Sequence, residues 1–200
     1  MTWDDARQEA VASPQKRFEG VLFYAGDRLY LRPIEVSDEF LLRKWLNDPI
    51  IRQGLDHLPP TNGVCEQAWI ESQPGKAGEY HLGIVVRAGD RLIGTVSLVD
   101  IDAINRSAEL RIMIGDVDYH CRGFGTEAVR LIVRYGFEDL NLNRITLGVF
   151  ANNPKAIRCY EKAGFVLEGR FRQALYRGGR YVDELSYAIL REEWEKARSG

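Results

Sequence analysis

A glycine turn near the middle of the chain has the residue types to bind an anion. Gly123 and Gly125 flank Phe124, and Thr126 is expected to open a helix. Glycines let the backbone turn tightly and leave its amide hydrogens uncovered. A helix start presents unpaired N–H groups and a partial positive charge, and Arg122 adds a full one. The turn therefore predicts a phosphate site.

A tyrosine further along the chain is placed where it could donate a proton. Asn153 followed by Pro154 predicts a helix start, and Gly164 predicts the end of the same helix. In this type of helix end, Phe165 would pack near Tyr160 and hold it firmly. A fixed phenol with a pKa near ~10 could protonate a departing group. The alternative is an ordinary core aromatic residue.

Regular patterns predict the elements that hold these groups. Apolar residues recur at helical spacing after the glycine turn, at Ala128, Leu131, Ile132 and Tyr135. Alternation predicts a strand over residues 145–150 and another over residues 109–114, which leads into the turn. The turn and the tyrosine therefore belong to one strand–helix–strand–helix unit.

The whole chain predicts an α/β (α+β) fold. The expected order is strand, two helices, three strands, helix, strand, helix and two strands, with residues 50–62 as a loop. This order predicts a mixed, mostly antiparallel sheet of about seven strands with helices on both faces. The connection between the fourth and fifth strands should be a parallel, right-handed crossover.

Composition limits the class of protein. Two hundred residues with 45% hydrophobic content suit one domain, which we place at residues 27–200 after an arm, or a short helix, at 1–26. A net charge of −2 gives no sign of a nucleic-acid surface. No signal-peptide pattern or membrane-spanning apolar run is present. Cys65, Cys121 and Cys159 form no disulfide or zinc pattern, so we expect a cytoplasmic protein without a metal.

The combined pattern resembles a known enzyme family. The run RGFGTEA at 122–128, followed by N-x-x-A-x-x-x-Y-x-x-x-G-F at 153–165, resembles the GCN5-related N-acetyltransferases (GNAT), especially the branch with ribosomal-protein alanine N-acetyltransferases. The resemblance extends from about Arg28 to about Trp194. It implies the GNAT fold, acetyl-CoA as co-substrate, and direct attack by a primary amine such as a protein N-terminus.

The resemblance also implies which residues bind the cofactor. In the family, the glycine turn binds the pyrophosphate, the asparagine contacts the pantetheine arm or its surroundings, and the pantetheine lies between two splayed strands. His120 stands where the family usually has Gln or Arg. The implied cofactor-binding residues are Met113, Ile114, His120, Cys121, Arg122, Gly123, Phe124, Gly125, Thr126, Asn153 and Lys155.

Two catalytic residues follow from the same resemblance. Tyr160 would protonate the thiolate of coenzyme A as it leaves. A glutamate at the place of Glu109 would remove a proton from the acceptor ammonium, often through water, since an ammonium has no lone pair. The alternative for Glu109 is a strand-edge carboxylate paired with Arg106 or Arg111.

The acceptor site is less well defined. In the family, the two helices before the central strands and their loop form one wall of it, so the amine could meet Trp45, His57 or Trp69, each of which could equally be a packing residue. Asp183 and Glu184 are on opposite faces of the last strand, so one of them could reach the acceptor.

Several functions stay open at this point. The acceptor could be a polyamine, an amino sugar or an aminoglycoside. A non-catalytic CoA-binding module would keep the ligand without the chemistry, but Tyr160 and Glu109 together favour an enzyme. A dinucleotide oxidoreductase is disfavoured because Ala128 replaces the third glycine of its motif. The expected partners are acetyl-CoA and an amine, without nucleic acid or membrane, in a homodimer to which the last strand pair contributes.

Overall fold

An eight-stranded sheet forms the centre of the computed structural model, which describes residues 21–56 and 59–199. The strands lie in the order β1-β2-β3-β4-β5-β6-β8-β7. Among the described strands, only the β5–β6 pair is parallel. The strands are β1 (Tyr24–Ala25), β2 (Leu29–Pro33), β3 (Tyr80–Val86), β4 (Arg91–Asp102), β5 (Ser107–Ile114), β6 (Arg144–Phe150), β7 (Val166–Arg177) and β8 (Arg180–Leu190).

This sheet confirms the predicted fold class. The expected number of strands was about seven, and the additional one is β1, which is too short to show a repeating pattern in the sequence. Since Tyr24–Ala25 pairs with β2, the sheet includes residues that we assigned to the N-terminal arm. Residues 1–20 lie outside the described part of the chain, and the domain division at residue 27 stays a proposal.

Six α-helices cover the sheet in the described part of the chain. They are α1 (Glu39–Asn47), α2 (Pro49–Arg52), α3 (Gly63–Glu71), α4 (Phe124–Glu138), α5 (Pro154–Ala163) and α6 (Arg191–Ser199). None of these helices is both long and apolar enough to cross a membrane.

Two helix boundaries differ from the sequence prediction. Asp48 directly follows α1 and also starts α2, because its Oδ1 accepts a hydrogen bond from the amide of Ile50 at 2.7 Å. The segment predicted as a loop at 50–62 thus begins with a helical turn. Helix α4 begins at Phe124 rather than at Thr126, since Gly123 is its N-cap.

The sheet separates two apolar cores. Leu29 and Leu31 of β2 belong to the larger core under α4, α5 and α6, whereas Tyr30 between them belongs to a smaller core under α1–α3. Trp45 is buried in this smaller core, at 4% exposure, and is a packing residue. Helices therefore lie on both faces of the sheet, as predicted.

Strands β5 and β6 separate after a short parallel ladder. The paired residues are Ser107 with Arg144, Ala108 with Ile145 and Glu109 with Thr146. Beyond Glu109, the edge of β5 that faces β6 pairs with no described strand, while β6 stays paired to β8 up to Phe150. The gap leaves amide and carbonyl groups of β5 without ladder partners, and these are strong hydrogen-bonding groups.

Candidate active site

A cavity of about 630 Å³ lies where β5 and β6 diverge. Its volume lies within the range of small-molecule sites. Four of the predicted site residues line it together, namely Tyr160, Glu109, Met113 and Asn153. It also extends along α1 and α3, on the side where the acceptor was expected.

Helix α5 positions Tyr160 at the cavity. Asn153 Oδ1 accepts a hydrogen bond from the amide of Ala156 at 3.2 Å and begins the helix, and Gly164 ends it with a φ of 103°. The amide of Phe165 donates to the carbonyl of Tyr160 at 3.1 Å, and the two ring centroids are 6.2 Å apart. The predicted helix end and aromatic contact are both confirmed.

The hydroxyl of Tyr160 is suited to donate a proton. The residue is 8% exposed and lines the cavity, and its hydroxyl forms no hydrogen bond with the described part of the protein. Burial raises the pKa of Tyr160, with a smaller contribution from Cys159. The phenol is therefore neutral and carries its proton at physiological pH.

Glu109 occupies the point where the β5–β6 ladder stops. Its Oε1 accepts a hydrogen bond from Nε of Arg111 at 2.8 Å, while the residue also lines the cavity. The pairing with Arg111 is the one expected for a strand-edge carboxylate, and the cavity position is the one expected for a base. The catalytic role of Glu109 stays a prediction.

Glu184 brings a second carboxylate into the same cleft. It lines the cavity beside Gly148 of β6, where any side chain would overlap its carboxylate. Burial raises the pKa of Glu184, and the negative charges of Asp56 and Glu109 raise it further. Asp183 instead points away and pairs with Arg170 at 2.6 Å. The alternation of residues along the strand did not decide whether Asp183 or Glu184 reaches the acceptor site. In the structure, Glu184 is the one that lines the cavity.

The glycine turn lies beside the cavity rather than in its wall. Gly123 has a φ of 85°, a conformation that favours glycine, and caps α4. A Cβ on Gly125 would lie 3.4 Å from Cys159 Sγ and 3.7 Å from Ile114 Cγ1. The turn is thus placed between the end of β5 and the residue next to Tyr160, so one extended ligand could contact both sites.

His120 fastens the turn to the end of β5. Its Nε2 lies 2.7 Å from the carbonyl oxygen of Ile114. Since a carbonyl only accepts hydrogen bonds, Nε2 carries the proton. His120, which stands where the family usually has Gln or Arg, therefore connects the glycine turn to the end of β5.

Arg28 also holds the glycine turn in place, although the sequence did not identify it as a site residue. Its Nε pairs with Glu127 Oε2 at 2.8 Å, and its Nη1 donates to the carbonyl of Arg122 at 3.0 Å. Its guanidinium stacks over the ring of Phe124, 4.5 Å from the centroid. Arg28 directly precedes β2, and no sequence signal links it to a turn so distant in the chain, because the contact depends on tertiary packing.

The other predicted cofactor residues have different surroundings. Cys121, Arg122 and Lys155 are exposed, whereas Thr126 is half-buried and donates from Oγ1 to Cys159 Sγ at 3.4 Å. Burial raises the pKa of Cys159 and keeps it as a thiol. Because the thiolate is the nucleophilic form, an acyl-cysteine route through Cys159 is disfavoured.

Acidic side chains dominate the charged lining of the cavity. Its described carboxylates are Asp56, Glu66, Glu109 and Glu184, and its described guanidinium is that of Arg111. Such a lining favours a cationic acceptor.

An aromatic pair completes the wall. Trp69 lines the cavity and packs edge-on against His81 at 5.1 Å between centroids. The two ring nitrogens of His81 lie 2.8 Å from Ser97 Oγ and 2.9 Å from Glu79 Oε2. His57, the third residue expected at this wall, lies outside the described residues. Across the described parts of the chain, no group of three or more His, Cys, Asp or Glu residues is arranged to hold a metal ion.

Comparisons with known proteins agree with this geometry. The family model described as "Acetyltransferase (GNAT) domain" matches residues 28–166. A Bacillus subtilis (strain 168) protein named "Probable N-acetyltransferase YjcK" is 36% identical over 181 residues, which is 86% of this chain and 98% of that protein.

Two further matches come from Vibrio cholerae. Its spermidine N(1)-acetyltransferase is 38% identical over 111 residues, 56% of this chain and 64% of that protein. A crystal structure of spermidine N-acetyltransferase from this organism, in complex with CoA and spermine, superposes with a TM-score of 0.80 and 29% identity, covering 85% of this chain and 99% of that one. The chain belongs to the GNAT family of acetyltransferases, and acetyl-CoA is its co-substrate.

Proposed function

We propose that this enzyme acetylates a primary amine of a small polycationic acceptor, of the polyamine type. The observation that carries the proposal is the acidic cavity between β5 and β6, which has Tyr160 on one wall. The relationship to proteins named spermidine acetyltransferases supports the same acceptor class. A protein N-terminus carries a single ammonium group, so it would leave most of the cavity carboxylates without a cationic partner.

The reaction we infer is a direct transfer. The thioester lies in the gap, where free amides of β5 beyond Glu109 polarise its carbonyl. The amine nitrogen, once neutral, attacks the carbonyl carbon, the C–S bond breaks, and Tyr160 donates its proton to the departing sulfur. The second proton that the nitrogen loses as the amide forms replaces the one given by Tyr160. Glu109 takes the proton that the ammonium loses, because it lies where the free edge of β5 begins.

The remaining cofactor assignments are proposals on the same basis. The pyrophosphate binds amides at Gly123–Gly125, with Arg28 and Arg122 nearby as cations. The pantetheine runs along Met113 and Ile114 towards Asn153 and Tyr160. The contact between Gly125 and Ile114, and the position of Met113, Asn153 and Tyr160 in the cavity wall, support this path.

Substituting Gly123 with Ala is expected to raise the Kd for acetyl-CoA roughly 10-fold. An L-residue in the left-handed region costs about 1–2 kcal/mol, and relief of that strain would turn the amides away from the phosphate. The new methyl would also lie 3.1 Å from Arg28 Nη2. Isothermal titration calorimetry measures the change.

Gly75→Ala is the matched control. Gly75 has a similar φ of 78°, but nothing lies within 4 Å of its Cβ direction. The control should lose comparable stability while its Kd stays unchanged. Equal affinities for the two variants would contradict a phosphate site at Gly123.

A thiol-release screen tests the proposed acceptor. Free coenzyme A is measured with acetyl-CoA and spermidine, amino sugars, aminoglycosides or N-terminal peptides. We expect the highest kcat/KM with a polyamine. Turnover confined to N-terminal peptides would contradict this proposal and favour the ribosomal-protein branch that the motif resembles.

We also propose a cytoplasmic homodimer. The edge strand β7 and its neighbour β8 leave large apolar side chains exposed, namely Val166, Leu167, Phe171, Tyr176 and Tyr181. A second copy of the chain would cover them. Light scattering of the wild-type protein should give twice the monomer mass, and Phe171→Asp should lower the measured mass towards that of the monomer. A monomeric mass of the wild-type protein at micromolar concentration would rule the dimer out. The three cysteines are not paired in disulfides, which fits a reducing cytoplasm, and cell fractionation tests this location.

A further inference from the structure

Glu66 is a buried carboxylate in the acceptor wall of the cavity. It lies in the first turn of α3, is 4% exposed and lines the cavity. Its carboxylate forms no hydrogen bond or ion pair within the described part of the chain. The cavity carboxylates of Asp56 and Glu109, in contrast, pair with Arg177 at 2.6 Å and Arg111 at 2.8 Å.

An unpaired carboxylate at this position is unfavourable without a ligand. Burial raises the pKa of Glu66, and the negative charge of Glu39 raises it further. Arg43 does not relieve this, because it is already paired with Glu39. The start of α3 offsets part of the cost through its free amides. A cation in the cavity would offset more of it, since charge-assisted hydrogen bonds are strong in a partly dry site.

We propose that Glu66 binds the second, non-reacting ammonium of a diamine or polyamine acceptor. The inference rests on the proposed acetylation of such an amine. Glu66 projects from α3, whereas Tyr160 projects from α5 at the side of the cavity nearest the glycine turn. The acceptor therefore spans the cavity, with its reacting amine beside Tyr160 and its other cation at Glu66.

The neighbours of Glu66 fit the chain between two ammonium groups. Trp69 lies one helical turn further along α3 and lines the same cavity, as do Leu42 and Leu46 of α1. These apolar surfaces can pack on methylene groups, and the indole face can attract a cation. A monoamine of the same length would use the apolar surfaces but would leave Glu66 unpaired.

The test compares two acceptors in one variant. For Glu66→Gln, we expect KM for 1,4-diaminobutane to rise about 10- to 100-fold, because an interaction with a charged group is lost. KM for n-butylamine should change less than about 2-fold, and kcat should stay similar for both. Glu66→Asp keeps the charge and should retain part of the preference for the diamine.

Glu71→Gln is the matched control. It removes the same charge from the same helix, but Glu71 is exposed and bonds Gln67 at 2.8 Å instead of lining the cavity. It should leave the ratio of the two KM values unchanged. Thermal melting checks that Glu66→Gln is folded, and we expect an unchanged or higher Tm because a buried charge is removed.

Two results would overturn the assignment of Glu66. One is an equal change in KM for both acceptors, and the other is no change for either. A failure of the proposed function looks different, because the wild-type enzyme would then release no thiol with either amine. The experiment therefore distinguishes a wrong assignment of Glu66 from a wrong assignment of the reaction.

Discussion

Tyr160→Phe is expected to lower kcat roughly 10²- to 10⁴-fold, the range of a positioned general acid. The substitution removes one oxygen and keeps the ring that packs on Phe165. KM for acetyl-CoA should change little, because the hydroxyl acts on the sulfur mainly as the bond breaks. Stopped-flow measurement of thiol release, with saturating acetyl-CoA and amine, gives kcat.

The pH dependence of this variant follows from the raised pKa of Tyr160. An acid whose pKa is raised keeps its proton above the ordinary tyrosine value, so the wild-type enzyme should not lose this group through neutral pH. The defect of Tyr160→Phe should therefore be constant from pH 6 to 9. Full turnover by the variant at every pH would contradict the role of Tyr160 as the general acid.

Tyr135→Phe is the control for Tyr160→Phe. Tyr135 is also buried, at 7% exposure, and burial raises its pKa to about 12. It is a residue of α4 that packs in the larger core, and it does not line the cavity. Loss of its hydroxyl should leave kcat within about 2-fold. Since the hydroxyl of Tyr160 has no hydrogen-bond partner among residues 21–56 and 59–199, Tyr160→Phe should also keep the Tm of the wild type.

Glu109→Gln is expected to have the second largest effect, a roughly 10²- to 10⁴-fold loss in kcat/KM below the pKa of the amine. Glutamine keeps the size of the side chain but cannot take the proton. The defect should shrink as the pH approaches the pKa of the amine, because more acceptor is then neutral before it binds. A pH series of thiol release measures this convergence.

Glu184→Gln separates the two carboxylates of the cleft. Glu184 lines the same cavity, and the charge of Glu109 contributes to its raised pKa. If Glu109 is the base, Glu184→Gln should cost less than about 10-fold and should keep the pH profile of the wild type. A larger loss of kcat/KM in Glu184→Gln than in Glu109→Gln would instead assign the role of the base to Glu184.

Local signals in the sequence were sufficient for α5 and the glycine turn. Asn153, Pro154 and Gly164 act through bonds within a few residues, so the sequence predicts the helix and the position of Tyr160. The same kind of signal was ambiguous at Asp48 and Pro49. There Asp48 is both the C-cap of α1 and the N-cap of α2, and Pro49 is the first residue of α2.

Contacts between distant segments could not be predicted from local patterns. The gap between β5 and β6 came only from resemblance to a family, because periodicity does not show where a ladder stops. Arg28 at the glycine turn and Glu66 in the cavity wall depend on how β2 and α3 dock. A glutamate in the first turn of a helix is typical of a solvated residue, so no sequence feature marks Glu66 as buried.

The position of bound coenzyme tests the account most directly. A crystal structure with coenzyme A should show its pyrophosphate at the amides of Gly123–Gly125 and its pantetheine between β5 and β6. The sulfur should lie within hydrogen-bond distance of the Tyr160 hydroxyl. Coenzyme bound outside this gap, or with its sulfur directed away from Tyr160, would contradict the mechanism.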